Sequence, residues 1–177
     1  MCSSDLVIFW ASTIPGRFPA TDGSCEDGLD HRLYATTTRD WIDFTPTQLL
    51  LDPGFPVIDG TFARLPDGQR FLLVKDETLV PPKKHLRAVP AAGWLGPFGT
   101  PGPPFSRAWV EGPCALWLGD CYLVYHDQYR DGRYGALRTT DFVTFEDVSD
   151  RITLPAGCRH GTAFPVPASL LRQLQQK

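Results

Sequence analysis

An all-β fold is predicted by three features of this 177-residue chain. Short apolar runs rich in β-branched and aromatic residues are separated by turn dipeptides such as Asp67-Gly68 and Gly119-Asp120, the pattern of strands joined by hairpins. The 17 prolines and 16 glycines are scattered, so they read as turns between short strands rather than as a linker. The third feature is a recurring segment: Val57-Ile58-Asp59-Gly60-Thr61-Phe62, Val110-Glu111-Gly112-Pro113-Cys114-Ala115 and Arg159-His160-Gly161-Thr162-Ala163-Phe164, each a β-type run carrying one ionisable side chain.

The recurrence narrows the architecture. Asp59 and Glu111 are 52 positions apart and Glu111 and His160 are 49 apart; a period of about 40 to 50 residues marks a β-propeller blade. Equivalent positions of successive blades face one axis, so two carboxylates and an imidazole distant in sequence are expected to converge on a central channel.

The elements follow in chain order. Leu6 to Ala11 matches the second strand of the later periods, Arg32 to Thr37 the third, and Thr47 to Leu51 a weakly marked fourth. The next period supplies an inner strand at Val57 to Phe62, a second at Arg70 to Val74 and a third at Leu86 to Val89. The period after it supplies Val110 to Ala115, Cys121 to Tyr125, Tyr134 to Arg138 and a poorly marked fourth strand within Val148 to Leu154. Such meanders carry almost no helix. At about 50 residues per blade the chain holds about three and a half blades, fewer than a closed ring needs. It therefore reads as an incomplete, N-terminally truncated propeller over residues 7–177, with residues 1–6 a non-native start. Long loops at Ser12–His31, Glu77–His85 and Pro90–Arg107 are expected to rim the channel.

Composition excludes several function classes. The apolar run at residues 6–11 is far shorter than the roughly 20 residues of a spanning helix, so no membrane partner is expected. A net charge of −3, with no basic block beyond Lys83-Lys84, argues against nucleic acid. The five cysteines, Cys2, Cys25, Cys114, Cys121 and Cys158, include no CxxC pair, which argues against zinc. Cys114 and Cys121 flank a hairpin and either face each other or pack as free thiols. The compartment is left open.

In order and spacing, Ile8 to Pro19, His31 to Thr38, Val57-Ile58-Asp59, Lys75-Asp76-Glu77, Val110-Glu111-Gly112-Pro113 and Arg159-His160-Gly161-Thr162 resemble glycoside hydrolase family 43, in its arabinofuranosidase-like branch, over about residues 7–170. The resemblance implies a five-bladed β-propeller that cleaves α-L-arabinofuranosidic or β-D-xylosidic linkages by inversion. It makes Glu111 the general acid and Asp59 the second carboxylate, which orients the acid and modulates its pKa. The general base would be an Asp on the first blade, for which this chain has no matching position. No cofactor is implied as required; a structural calcium ion in the channel is, with His160 a water-mediated neighbour and site residue.

The chemistry makes those roles intelligible. Inversion needs one carboxyl that holds a proton and one ionised carboxylate about 6.5 to 9.5 Å away to activate water, and a second carboxylate beside the acid disfavours its ionisation. Trp10 is the expected stacking platform for the apolar face of a sugar, with core packing as the rival role. Trp109, two positions before Glu111, shares its facing and is placed at the substrate. Lys75 and Asp76 are assigned to substrate hydroxyls, against the alternative of a solvated ion-pair cluster. Arg138 and Arg159 either hold the carboxylates or lie on the surface. Trp41, Trp94 and Trp117 are read as packing between blades. The expected partner is an arabinose- or xylose-containing glycan. Two other functions fit parts of the pattern: a glycan-binding propeller without hydrolysis, and a kelch-like interaction propeller, whose Gly-Gly signature is missing.

Overall fold

A computed structural model describes residues 5–19, 21, 25, 29–155 and 157–176; Cys2 and most of the segment read as a non-native start lie outside the described residues. The fold is all-β, in three antiparallel sheets. β1 (Leu6–Thr13), β2 (His31–Thr38) and β3 (Gln48–Leu51) form the first, and β4 (Val57–Arg64), β5 (Arg70–Asp76) and β6 (His85–Ala91) the second. β7 (Glu111–Trp117), β8 (Tyr122–Gln128), β9 (Arg133–Thr139) and β10 (Glu146–Asp147) form the third.

Each sheet is a meander in which sequence neighbours pair. β4 and β5 are joined by a turn in which the Gly68 N–H donates to the Leu65 carbonyl at 2.9 Å, and β7 and β8 by one in which the Leu118 N–H donates to the Cys121 carbonyl at 2.9 Å. β5 shows why a continuous apolar run forms a strand here. Leu72 and Val74 pack against the first sheet with Leu33, Ala35 and Leu51, whereas Phe71 and Leu73 pack against the third with Val124, Leu137 and Phe142. Side chains alternate along a strand, so the stretch Phe71 to Val74, covered on both faces by apolar side chains, is apolar throughout.

The outer strands depart from expectation. β10 covers only Glu146–Asp147, and a 3-10 turn at Ser149–Arg151 takes the place of the strand expected within Val148 to Leu154. The second sheet has three strands; beyond β6, Phe98 and Pro104 make isolated bridges to Ala91 and Arg87. Pro97, Pro101, Pro103 and Pro104 lack the N–H that a ladder requires. Arg159 to Phe164, expected as a strand, joins no ladder and bends at His160, and the segment ends in one short helix, α1 (Ala168–Gln175), which buries no side chain. Cys25, Cys114, Cys121 and Cys158 are free thiols.

The turn that follows β2 in the first sheet recurs after β9 in the third. Asp40 Oδ1 accepts the N–H groups of Ile42 and Asp43, both at 2.9 Å, and Asp141 Oδ1 those of Val143 and Thr144, both at 2.8 Å. These bonds hold both carboxyls below the usual carboxylate range. The next residue is left-handed in each, Trp41 (φ 63°) and Phe142 (φ 54°). Phe142 is 3% exposed because it lies 5.2 Å from Phe71 of the second sheet and 4.9 Å from Tyr122. Trp41 is 64% exposed, which corrects the packing role read for it.

Candidate active site

β4 and β7 open in the same way. Between the pairs Ile58↔Lys75 and Thr61↔Leu73, and between Glu111↔Asp127 and Cys114↔Tyr125, the first strand of each pair accommodates one additional residue. These are β-bulges, which re-aim side chains. Asp59 (φ 54°) and Gly112 (φ 59°) adopt the left-handed conformation inside them. The register corrects the phase of the repeat: Asp59 corresponds to Gly112, and Glu111 to Ile58. Asp59 and Glu111 therefore approach from adjacent, not matching, positions, and it is the bulges that turn them together. His160 (φ 46°) repeats the left-handed conformation of Asp59.

The three side chains meet. His160 Nε2 is 3.5 Å from Asp59 Oδ2 and 3.5 Å from Glu111 Oε1, and one donor atom from each residue lies within 4.8 Å of the other two. Asp59 Oδ2 accepts the Gly112 N–H at 3.0 Å. Glycine is needed at 112 for a second reason besides its φ, since a Cβ there would stand 2.3 Å from His160 Cδ2. The side chains are 26% (Asp59), 15% (Glu111) and 48% (His160) exposed. Asp59 and His160 line a cleft of about 200 Å³ together with Thr61, Cys114 and Thr162. A larger groove of about 340 Å³, lined by Phe71, Phe105, Phe142 and Phe145, contains no ionisable group and so offers no acid–base chemistry.

Cations stand on the other side of Glu111. Lys75 Nζ is 2.8 Å from Glu111 Oε2 and 2.8 Å from Glu77 Oε2, with the Tyr129 ring centre 5.0 Å away. Burial pushes the Lys75 ammonium down, but its hydrogen bonds to Glu111 and Glu77 outweigh burial and raise it. Arg159 Nη2 is 3.4 Å from Glu111 Oε1, and its Nε donates to Asp127 Oδ2 at 2.8 Å. Arg138 lies elsewhere, 3.8 Å from Asp120 and 3.8 Å from Glu146.

The substrate contacts expected from Lys75 and Asp76 are corrected by burial. Each residue is 2% exposed, and neighbours in a strand face opposite ways. Lys75 reaches Glu111, while Asp76 accepts from Arg87 Nε at 3.1 Å and lies 3.6 Å from His85 Nε2. Burial pushes the Asp76 carboxyl up, but His85, Thr78 and Arg87 together hold it at about 2. Phe9, 5.4 Å from Phe62, packs toward the second sheet; Trp10, next along β1, takes the opposite face and is 37% exposed. Trp109 (φ 65°) precedes β7, its N–H donating to the Lys84 carbonyl at 2.6 Å and the Arg130 guanidinium standing 3.1 Å from its ring centre. One face of that indole is thus already covered. Glu77 lies in the Lys75-Asp76-Glu77 segment but carries no role there, and Lys84 and Asp127 join the site without a motif to announce them, although the β7–β8 hairpin pairs Asp127 with Glu111.

Paired carboxylates with an imidazole and flanking cations, set on bulged antiparallel strands, are suited to proton transfer and to binding hydroxyl-rich ligands, and the family comparison names the class: glycosyl hydrolase domains. A family model described as "Probable glycosyl hydrolase domain" matches residues 2–170. The chain belongs to that family, which is related to glycoside hydrolase family 43. No curated protein matches it.

Proposed function

We propose that this site belongs to an inverting glycosidase that cleaves α-L-arabinofuranosidic or β-D-xylosidic linkages and that the sheets are blades of a five-bladed β-propeller. Glu111 is the general acid, Asp59 the carboxylate that orients it, and His160 a site residue at the channel wall. The observation that carries the reading is the meeting of Asp59, Glu111 and His160, from three separate segments, within 4.8 Å. The closeness of Asp59 supports an orienting part: an inverting acid and base stand about 6.5 to 9.5 Å apart, farther than the 4.8 Å within which Asp59 and Glu111 bring an oxygen together.

In this reading Glu111 gives its proton to the glycosidic oxygen as the bond to the anomeric carbon breaks. A water molecule adds to that carbon from the opposite face and loses a proton to a separate carboxylate. That base is not among the three converging groups, so the 177-residue chain is expected to turn over little substrate. The calcium ion implied by the resemblance does not fit directly on these residues. Lys75 and Arg159 already set positive charge against both oxygens of Glu111, and no step uses a metal.

A second reading is favoured by the same two cations: they suit a carboxylate kept as an acceptor for sugar hydroxyls, as in a glycan-binding module without turnover. Nitrophenyl arabinofuranoside and xyloside separate the two. Slow hydrolysis with inversion of the anomeric centre, abolished in Glu111→Gln, supports the first reading; glycan binding with no hydrolysis selects the second.

A further inference from the structure

Through Glu111 runs a chain of six charges that alternate in sign: Lys84, Glu77, Lys75, Glu111, Arg159, Asp127. Lys84 Nζ contacts Glu77 Oε1, and Lys75 stands 2.8 Å from Glu77 and 2.8 Å from Glu111. Arg159 stands 3.4 Å from Glu111 and 2.8 Å from Asp127. The side chains of Lys84, Lys75 and Asp127 are 1%, 3% and 1% exposed, whereas Arg159 is 56% exposed. The chain thus begins in the interior and surfaces at the cleft. The groups facing Glu111 are Lys75 from β5, Asp59 from β4, and Arg159 and His160 from the segment after β10; Glu77 and Asp127 stand one contact further back and Lys84 two.

Buried ion pairs contribute little to stability compared with apolar packing, because desolvation of each charge costs several kcal/mol. A chain of them invites an explanation beyond folding. Lys75 is equally distant from two carboxylates, and Glu77 is itself balanced by Lys84. When Glu111 carries a proton, the Lys75 charge remains paired by Glu77; when Glu111 has lost it, Lys75 pairs with both. Lys75 therefore stays in place across both states, and so does the carboxyl it touches.

We infer that Lys75 is the positioning residue of Glu111, held between Glu77 and Glu111 so that the Glu111 carboxyl keeps one geometry whether protonated or ionised. The inference rests on the proposed role of Glu111 as acid, but its test does not need turnover. The side-chain carboxyl of Glu111 is followed by carbon NMR in the glutamate-labelled 177-residue chain, its signal assigned by its loss in Glu111→Gln, and titrated in the parent, Lys75→Met, Lys75→Arg and Glu77→Gln.

An opposite charge in contact shifts a carboxyl midpoint by about 1 to 3 pH units. Lys75→Met is expected to move the Glu111 midpoint up by about that amount, and Lys75→Arg to restore it. Glu77→Gln, nearly isosteric, is expected to move it down, because Lys75 then has Glu111 as its only carboxylate. A purely structural role predicts no such opposition. Midpoints that move the same way in Lys75→Met and Glu77→Gln overturn the inference, as does a Glu77→Gln midpoint equal to the parent's, which decides the matter even where Lys75→Met does not fold. Opposed shifts uphold the positioning whether or not sugar is hydrolysed; hydrolysis with unmoved midpoints upholds the glycosidase reading and overturns the positioning.

Discussion

Alanine at position 112 places a methyl group where the His160 ring now lies. The backbone at Gly112 is left-handed (φ 59°) and the added Cβ would sit 2.3 Å from His160 Cδ2. Ordinary contact is about 3.5 to 4.0 Å, so the imidazole must retreat by more than about 1 Å, which breaks its 3.5 Å approaches to Asp59 and Glu111. The left-handed conformation alone costs a non-glycine residue about 1 to 2 kcal/mol. Gly132 separates the two effects, having nearly the same φ (62°) and open space for 4 Å around the point where a Cβ would sit. Gly132→Ala is expected to lose about 1 to 2 kcal/mol by chemical denaturation, and Gly112→Ala to lose more, with the His160 ring resonances displaced. Equal losses in the two variants, with the His160 resonances unmoved, would refute the claim that Gly112 makes room for the imidazole.

Three other outcomes follow from the fold and the site. Phe142→Ala is expected to cost about 3 to 5 kcal/mol, whereas Trp41→Ala, at the corresponding turn but 64% exposed, is expected to cost under about 1 kcal/mol; urea denaturation of both variants checks the contrast, and equal costs would contradict it. Asp76 titrates at about 2 in the folded protein against an ordinary 3.8, so its contribution is fully present above the ordinary value and is lost as pH falls through about 2. The stability gap between the parent and Asp76→Asn should narrow by about 2 kcal/mol between pH 5 and pH 2, and a gap independent of pH counts against it. Glu111→Gln should abolish nitrophenyl glycoside hydrolysis without lowering the melting temperature by more than a few degrees; retained hydrolysis removes Glu111 from the acid role.

Much of the local structure is legible in the chain itself, because strands and hairpins follow from side-chain period and turn chemistry. Leu65 to Gly68 and Leu118 to Asp120 announce their hairpins, and the continuous run Phe71-Leu72-Leu73-Val74 announces a strand covered on both faces. The weak outer strands are legible only in part, since Pro97, Pro101, Pro103 and Pro104 say where a ladder cannot form but not what forms instead. The site divides in the same way. Asp59, Glu111 and His160 stand out as ionisable groups in apolar runs, but their phase does not: two bulges displace the Asp59 and Glu111 positions by one residue, and a single inserted residue reverses facing.

Lys75 and Asp76 mark the boundary. Adjacent in sequence and both charged, they differ because alternation sends one to Glu111 and the other to Arg87, and which face borders the site depends on how the second sheet stacks against the third. Residue types and turn signals are carried by the covalent chain, which by itself determined the strands, their order and the ionisable groups available. Only the tertiary structure decided which of those groups touch, because contact between sheets rests on bulges, stacking and burial that no short stretch of residues encodes.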